Sequence, residues 1–253
     1  FAKRIEHVVQ QCERVAKAVS SNLIVGNYPI VLSGDHSSAL GTISGIKSAH
    51  PHARIGVIWL DAHADIHSPF TSPSGNIHGM PLAAALGLDN LQYQVNQPDE
   101  ATLLQWYKMK NIGIEGPKIL PEDLIYFGVR DYEEAEEKVI HDQGIKYFKV
   151  EELRFKGLKH CVQEAIQLLS KCDILYISFD VDSMDCDRIS YGTGTPVPAG
   201  FNPEEIIEII QLFQATGKVK CIEFTEINPL LDNKGNKMAE TAFEVLDKIS
   251  TTI

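Results

Sequence analysis

Apolar positions along the chain follow two periods. Over residues 4–20, Ile5, Val8, Val9, Cys12, Val15 and Val19 recur at the three- and four-residue spacing of an amphipathic helix. Beyond them come short, nearly continuous apolar runs: "YPIVL", "ARIGVIWL", "LIYFGV" (124–129), "KYF", "ILYISF" (174–179) and "VKCIEF" (219–224). Their length and their β-branched and aromatic content predict strands. Helical spacing returns over about 39–47, 79–87, 132–142, 158–170, 204–214 and 239–250. Strands alternating with helices predict βαβ units and an α/β fold, with a mostly parallel sheet covered on both faces. Residues 89–121 carry three prolines and no clear period, and read as a surface excursion. No repeat or low-complexity linker divides the chain, so residues 1–253 read as a single domain.

Four of the strands run into unusual polar residues. Asp35 and His36 follow "IVL", and Asp61, His63 and Asp65 follow "VIWL". Asp180 and Asp182 follow "YISF", and Glu226 follows "CIEF". In an open parallel sheet these clusters share the carboxyl edge, where ligands bind. Residues spaced two apart at a strand end can point the same way, so Asp61, His63 and Asp65 converge, as do Asp180 and Asp182. One aspartate after a strand is ordinarily a cap or turn residue. Capping does not produce matching clusters on several strands of one sheet. The pattern predicts a metal site of two histidines and four carboxylates. That donor set suits a hard ion such as manganese better than a thiolate-bound structural zinc. Four carboxylates exceed the need of one divalent ion, so two ions about 3.5–4 Å apart are expected, bridged by Asp61 and Asp180.

Composition narrows the partners. The formal net charge of −11, with no basic run, argues against a nucleic-acid groove. Hydrophobic residues make up 44% of the chain, enough for a full core. Five scattered cysteines form neither a metal-ligand pairing nor a secreted disulfide pattern, which points to a reducing, cytoplasmic compartment. No signal peptide or membrane-length apolar run is visible.

The motifs "GDHS", "DAHADI", "SGNIHGMP", "SFDVDSMD", "GTGTPV" and "EINP" resemble, in order and spacing, those of the ureohydrolase family of arginases, agmatinases and their relatives. The resemblance runs from about residue 29 to the C-terminus. It implies a three-layer α/β/α sandwich around an eight-stranded, mainly parallel sheet. It also implies hydrolysis of a guanidinium group at a centre of two Mn2+ ions, in a homotrimer or homohexamer. One ion would take His36, Asp61, Asp65 and Asp180, and the other His63, Asp61, Asp180 and Asp182. The catalytic set implied is His78 as proton shuttle, Glu226 pairing with the guanidinium, and Asp65. Thr195 would line that pocket.

The segment "HSPFTSPSGNIHG" resembles arginase more than agmatinase, and implies L-arginine as the small-molecule substrate. Ser72, Ser74 and Asn76 align with groups that hold the amino-acid end, and Glu133 and Glu136 of "RDYEEAE" with acidic groups for its ammonium. Two positions depart from the family. His67 stands where asparagine is usual, as a donor to the substrate carboxylate, and Glu133 where aspartate is usual. The family also has a strand and helix ahead of this region, and a chain beginning in a helix is expected to lack that unit. The alternatives are an agmatinase, a formimidoylglutamase or another guanidino or formimino hydrolase, and a catalytically silent binding protein of the same fold. The complete set of metal positions argues against the silent protein.

Overall fold

In the computed structural model, which describes residues 1–251, the apolar runs pair into one sheet of six parallel strands. These are β1 (Ile30–Leu32), β2 (Ile55–Leu60), β3 (Leu124–Phe127), β4 (Lys146–Phe148), β5 (Ile174–Asp180) and β6 (Val219–Thr225), in the order β1-β6-β5-β2-β3-β4. Every residue of β2, β3 and β5 is buried. This is why those strands read as nearly continuous apolar runs rather than as alternating ones.

Two cores flank the sheet. Val57, Trp59, Leu124, Tyr126 and Tyr176 project from one face. They meet α1 (Ile5–Ile24), α2 (Ser38–Ala49), α3 (Pro81–Leu86), α4 (Glu100–Lys110) and α5 (Glu134–Asp142). Ile58, Leu60, Ile125, Phe127, Ile177, Phe179 and Phe224 project from the other. They meet α6 (Val150–Lys156), α7 (Leu158–Leu168), α8 (Pro203–Gln214) and α9 (Lys237–Ser250). The result is the expected three-layer α/β/α sandwich. Close approach of α1 to α2 rests on Gly41 and Gly45. A Cβ there would lie 2.7 Å from the Cys12 carbonyl oxygen and 2.6 Å from that of Ala16.

The topology fixes where a site can form. From β2 the chain builds outward through β3 and β4, then returns to place β5 on the other side of β2. That reversal opens a crevice at the carboxyl ends of β2 and β5. Register pairs Leu60 with Phe179, so the next residues, Asp61 and Asp180, leave the sheet side by side.

The structure departs from expectation in three places. Six strands occur among the described residues where the resemblance implies eight. The excursion at 89–121 contains α4, capped by Asp99, which accepts a hydrogen bond from the Thr102 amide. Its inward face is only Trp106 and Met109, while Leu103, Leu104 and Tyr107 face solvent, so no apolar stripe announces it. The short helix α6 also went unread. No helix among the described residues is long and apolar enough to cross a membrane.

Trp106 anchors α4: it is 2% exposed, and its indole donates to Asp89 Oδ1 at 2.7 Å. Trp106→Ala removes a large buried side chain and its hydrogen bond. It is expected to destabilise the protein by about 3–5 kcal/mol, read by urea unfolding. A loss below about 1 kcal/mol would mean that α4 is not part of the core.

Candidate metal centre and active-site cavity

The loops leaving β1, β2 and β5 bring all six candidate ligands together. The His36 ring lies flat on Trp59, with centroids 4.0 Å apart and planes 5° from parallel. Its Nε2 is 2.8 Å from Ser178 Oγ. Its Nδ1 therefore faces the carboxylates, at 3.0 Å from Asp61 Oδ2, 3.0 Å from Asp65 Oδ2 and 3.1 Å from Asp180 Oδ2. His63 Nδ1 stands 3.0 Å from Asp182 Oδ2 and 3.5 Å from Asp61 Oδ1. Asp61 thus presents one oxygen to each imidazole. Backbone amides fix the remaining carboxylate oxygens: Ala62 N–H donates to Asp182 Oδ1 at 3.1 Å, and Asp182 N–H to Asp180 Oδ1 at 2.8 Å.

Among the described residues four groups could hold a metal ion; two of them, His36, Asp61 and Asp180, and Asp61, His63 and Asp182, lie here and share Asp61, while the others are Asp35, His78 and Glu226, and His67, Glu133 and Glu136. The polar atoms support that chemistry. His36 Nδ1 and Asp61 Oδ2 are buried, and despite their short separation they make no hydrogen bond of acceptable geometry. Protonation is equally constrained. Burial opposes charge on His36, but contacts with Asp180, Asp61 and Asp65 outweigh it and lift its pKa well above the usual value. Burial and the charges of Asp182 and Asp61 push Asp180 well up, while burial and Asp61 raise Asp182. Asp61 is also opposed by burial, yet its contacts with His36 and His63 hold it low. Four buried carboxylates cannot all ionise here without cations among them. Imidazole nitrogen with carboxylate oxygen is a donor set for a divalent ion of the manganese type.

Above these groups lies a cavity of about 270 Å³, and all the other candidate residues line it. Glu226 anchors one wall: its Oε1 accepts the His36 amide proton at 2.9 Å and lies 3.5 Å from His78 Nδ1. His78 occupies a 3₁₀ turn at Ile77–Gly79, and its contact with Glu226 raises its pKa against the opposing effect of burial. Thr195 Oγ1 donates to Asp182 Oδ2 at 3.3 Å. Asp65 and Glu226 adopt left-handed backbone conformations, φ 51° and φ 63°. For non-glycine residues these cost about 1–2 kcal/mol each. Such strain concentrates at functional sites.

The far end of the cavity is polar. Ser72 Oγ accepts from Gly75 N–H at 2.9 Å, and Ser74 Oγ from Asn76 N–H at 3.1 Å. Asn76 Oδ1 accepts from Lys3 Nζ at 3.1 Å. His67 is buried with both ring nitrogens engaged: Nδ1 lies 3.0 Å from Thr71 Oγ1 and Nε2 3.1 Å from Glu133 Oε2. Glu136, at the first turn of α5, accepts the amide protons of Ile66 and Glu133. Burial and the adjacent Glu133 raise its pKa well above normal.

The sequence pattern missed several residues of this region. Asp131 lines the cavity, and its Oδ2 lies 3.7 Å from His63 Nε2. Trp59 and Ser178 orient His36. Ser178 carried a readable signal, being a polar residue inside an apolar strand. Lys3 carried none.

Asp65 gives this electrostatic picture a test. Burial and the charge of Asp61 raise its pKa to about 7. In metal-free protein its contribution to stability is fully present below its unfolded pKa, near 4, and is lost as pH rises through about 7. Asp65→Asn keeps the shape and removes the titration. Its stability relative to wild type is therefore expected to improve as pH rises, by up to ~3 kcal/mol between about pH 5 and about pH 8, because about two units of that window lie below the folded pKa at about 1.4 kcal/mol per unit. Urea unfolding in excess chelator at about pH 5 and about pH 8 measures the difference. An effect independent of pH would count against the assignment.

Comparison with known proteins places this geometry. The Arginase family model matches residues 2–251. Arginase of Bacillus subtilis (strain 168) is 35% identical over 247 residues, covering 98% of this chain and 77% of its own. The native structure of arginase from Bacillus caldovelox is similar with a TM-score of 0.85 at 36% identity, covering 98% of this chain and 76% of that one. The structure of Entamoeba histolytica arginase in complex with L-ornithine is similar with a TM-score of 0.85 at 31% identity, over 98% of this chain and 78% of that one. With the family model spanning nearly all of it, and relatives this similar over most of their own length, the chain belongs to the arginase family.

Proposed function

We propose that this protein is an arginase that hydrolyses L-arginine to L-ornithine and urea at a centre of two manganese ions. The observation that carries the reading is one cavity with two chemically different ends. Clustered carboxylates and imidazoles form its floor, and a polar, acidic wall lies opposite. The relatives named above, one of them bound to L-ornithine, support the same activity.

In this reading His36, Asp61, Asp65 and Asp180 hold one ion, and His63, Asp61, Asp180 and Asp182 the other. When bound, the ions supply Lewis acidity and lower the pKa of water. The protein's own groups do the rest. Glu226 accepts charge-assisted hydrogen bonds from the guanidinium N–H groups and keeps its carbon over the floor. Asp65 receives a proton from the attacking water and returns it to the departing nitrogen. His78, beside Glu226, relays the proton that turns the released amine into ammonium. Thr195 borders the guanidinium pocket. Glu133 and Glu136 face the substrate ammonium. Ser72, Ser74, Asn76 and His67 surround its carboxylate end, where His67 also holds Glu133 in place.

Asp61 is the carboxylate that faces both histidines, so Asp61→Asn is expected to abolish tight binding of both ions. Elemental analysis of dialysed protein reads this as a fall from two manganese ions per chain to none. A variant that keeps two would remove Asp61 from the shared position.

The activity itself is tested with manganese-loaded protein and a panel of arginine, agmatine and guanidinobutyrate, following urea. Agmatine lacks the carboxylate, so the groups at that end lose their partner. L-Arginine is expected to exceed agmatine in kcat/KM by at least about 10²-fold. Equal values would leave the family assignment standing and overturn arginine as the substrate.

A further inference from the structure

The recognition end of the cavity is short of positive charge. Seven carboxylate side chains line the cavity, and no lysine or arginine does. In the reaction proposed above, the two ions offset the ligand carboxylates, the guanidinium meets Glu226, and the substrate ammonium meets Glu133 and Glu136. The substrate carboxylate is left with no positive partner in the lining. His67 does not fill that place, because Thr71 and Glu133 already engage its two ring nitrogens. Ser72, Ser74 and Asn76 offer only neutral dipoles. A cation does touch this wall from outside the lining. Lys3, exposed and just ahead of α1, lies against the loop at 72–76. Its amide donates to the Gly75 carbonyl oxygen at 2.7 Å, and its Nζ donates to Asn76 Oδ1 at 3.1 Å. Both ends of the residue are therefore fixed on the loop. The contact is close: a Cβ on Gly75 would lie 3.2 Å from the Phe1 carbonyl carbon.

We propose that Lys3 is a specificity-determining residue of the arginine site: its ammonium, held at the cavity rim by Asn76 and Gly75, supplies the positive charge that the substrate carboxylate meets. The inference deepens the arginase reading above and rests on it. A lysine ammonium has three protons and no lone pair. One proton goes to Asn76, and among the described residues no carboxylate pairs with the other two. Because Lys3 can only donate, Asn76 turns its oxygen toward the ammonium and its NH2 group away from it. That NH2 group has no partner among the described residues, so it remains as a second donor for the carboxylate. Charge and dipole then act on the same anion. The ammonium also offsets the repulsion that a carboxylate meets on approaching a chain of net charge −11. The purely structural alternative is that Lys3 only ties the segment ahead of α1 to the loop at 72–76.

The experiment follows urea release by the manganese-loaded full chain from L-arginine and from L-argininamide, which keeps the guanidinium and the ammonium but carries a neutral amide in place of the carboxylate. Lys3→Met removes both the charge and the bond to Asn76, whereas Lys3→Gln keeps a donor without the charge. Each is expected to raise KM for L-arginine by about 5- to 20-fold, between the worth of an exposed ion pair and that of a charged hydrogen bond, with kcat within about twofold of wild type. For L-argininamide, kcat/KM is expected to stay within about twofold, because no charge is met at that end. Lys3→Arg keeps the charge and is expected to restore the KM for L-arginine. Added salt is expected to raise that KM in wild type more than in Lys3→Gln, since it screens an exposed pair. A wild-type KM for L-arginine in both Lys3→Met and Lys3→Gln would overturn the proposal. So would an equal loss on both substrates, which would reduce Lys3 to a structural tie. A loss in Lys3→Met that Lys3→Gln does not share would assign hydrogen bonding alone and overturn the role of charge. A wild-type chain that releases no urea from L-arginine would instead overturn the arginase reading, and the proposal with it.

Discussion

Four aspartates crowded around two histidines at the ends of two neighbouring strands set the terms for the rest of the structure. Asp61 and Asp180 emerge side by side because β2 and β5 are parallel and in register. Placing like charges in a buried crevice costs several kcal/mol per unpaired ion. The fold meets that cost locally, with backbone amides on the outer carboxylate oxygens and imidazoles on the inner ones. What remains uncompensated is a set of acceptors aimed inward, which is the property a cation site requires.

Rigidity around this cluster comes from groups outside it. Arg130 donates to the carbonyl oxygens of Gly128, Asp182, Val197 and Pro198 at 2.8–3.0 Å. A single guanidinium thereby joins the end of β3 to the turn carrying Asp182 and to the loop before α8. Its bonds go to carbonyls, so its positive charge stays uncancelled near Asp182 and Asp61. Trp59 contributes differently, giving His36 a flat apolar surface that fixes the ring plane. Asp65, in a left-handed conformation, is tied through its carbonyl oxygen, which accepts the Leu82 amide proton at 3.1 Å, and Glu226, also left-handed, through its side chain, which accepts the His36 amide proton at 2.9 Å.

Under the proposed reaction the cavity would separate two tasks. Its floor and Glu226 would serve the end where bonds change. The loop at 67–76 and the start of α5, which line the opposite end, would serve recognition. The two tasks meet in α5, where Glu136 caps the helix through the Glu133 amide and supports the floor loop through the Ile66 amide. A residue that reads from sequence as an ordinary helix start is therefore also part of the cavity wall.

The sequence by itself determined the layer architecture, the parallel sheet and the identity of the clustered carboxylates and imidazoles. Those features follow from local periodicity and from polar residues placed where apolar runs stop. It also carried the motif order on which family membership rests. Only the tertiary structure decided how the clusters meet. Strand order places β5 beside β2, and register sets Asp61 next to Asp180, and neither is encoded in any local window. The helix α4 stayed hidden because two buried residues are too few to show a period. Engagement of His67 with Glu133, and of His36 with Ser178, joins residues separated by 66 and 142 positions through space alone. Hydrogen-bond direction depends on which neighbours each hydroxyl meets, and those neighbours exist only once the sheet has formed.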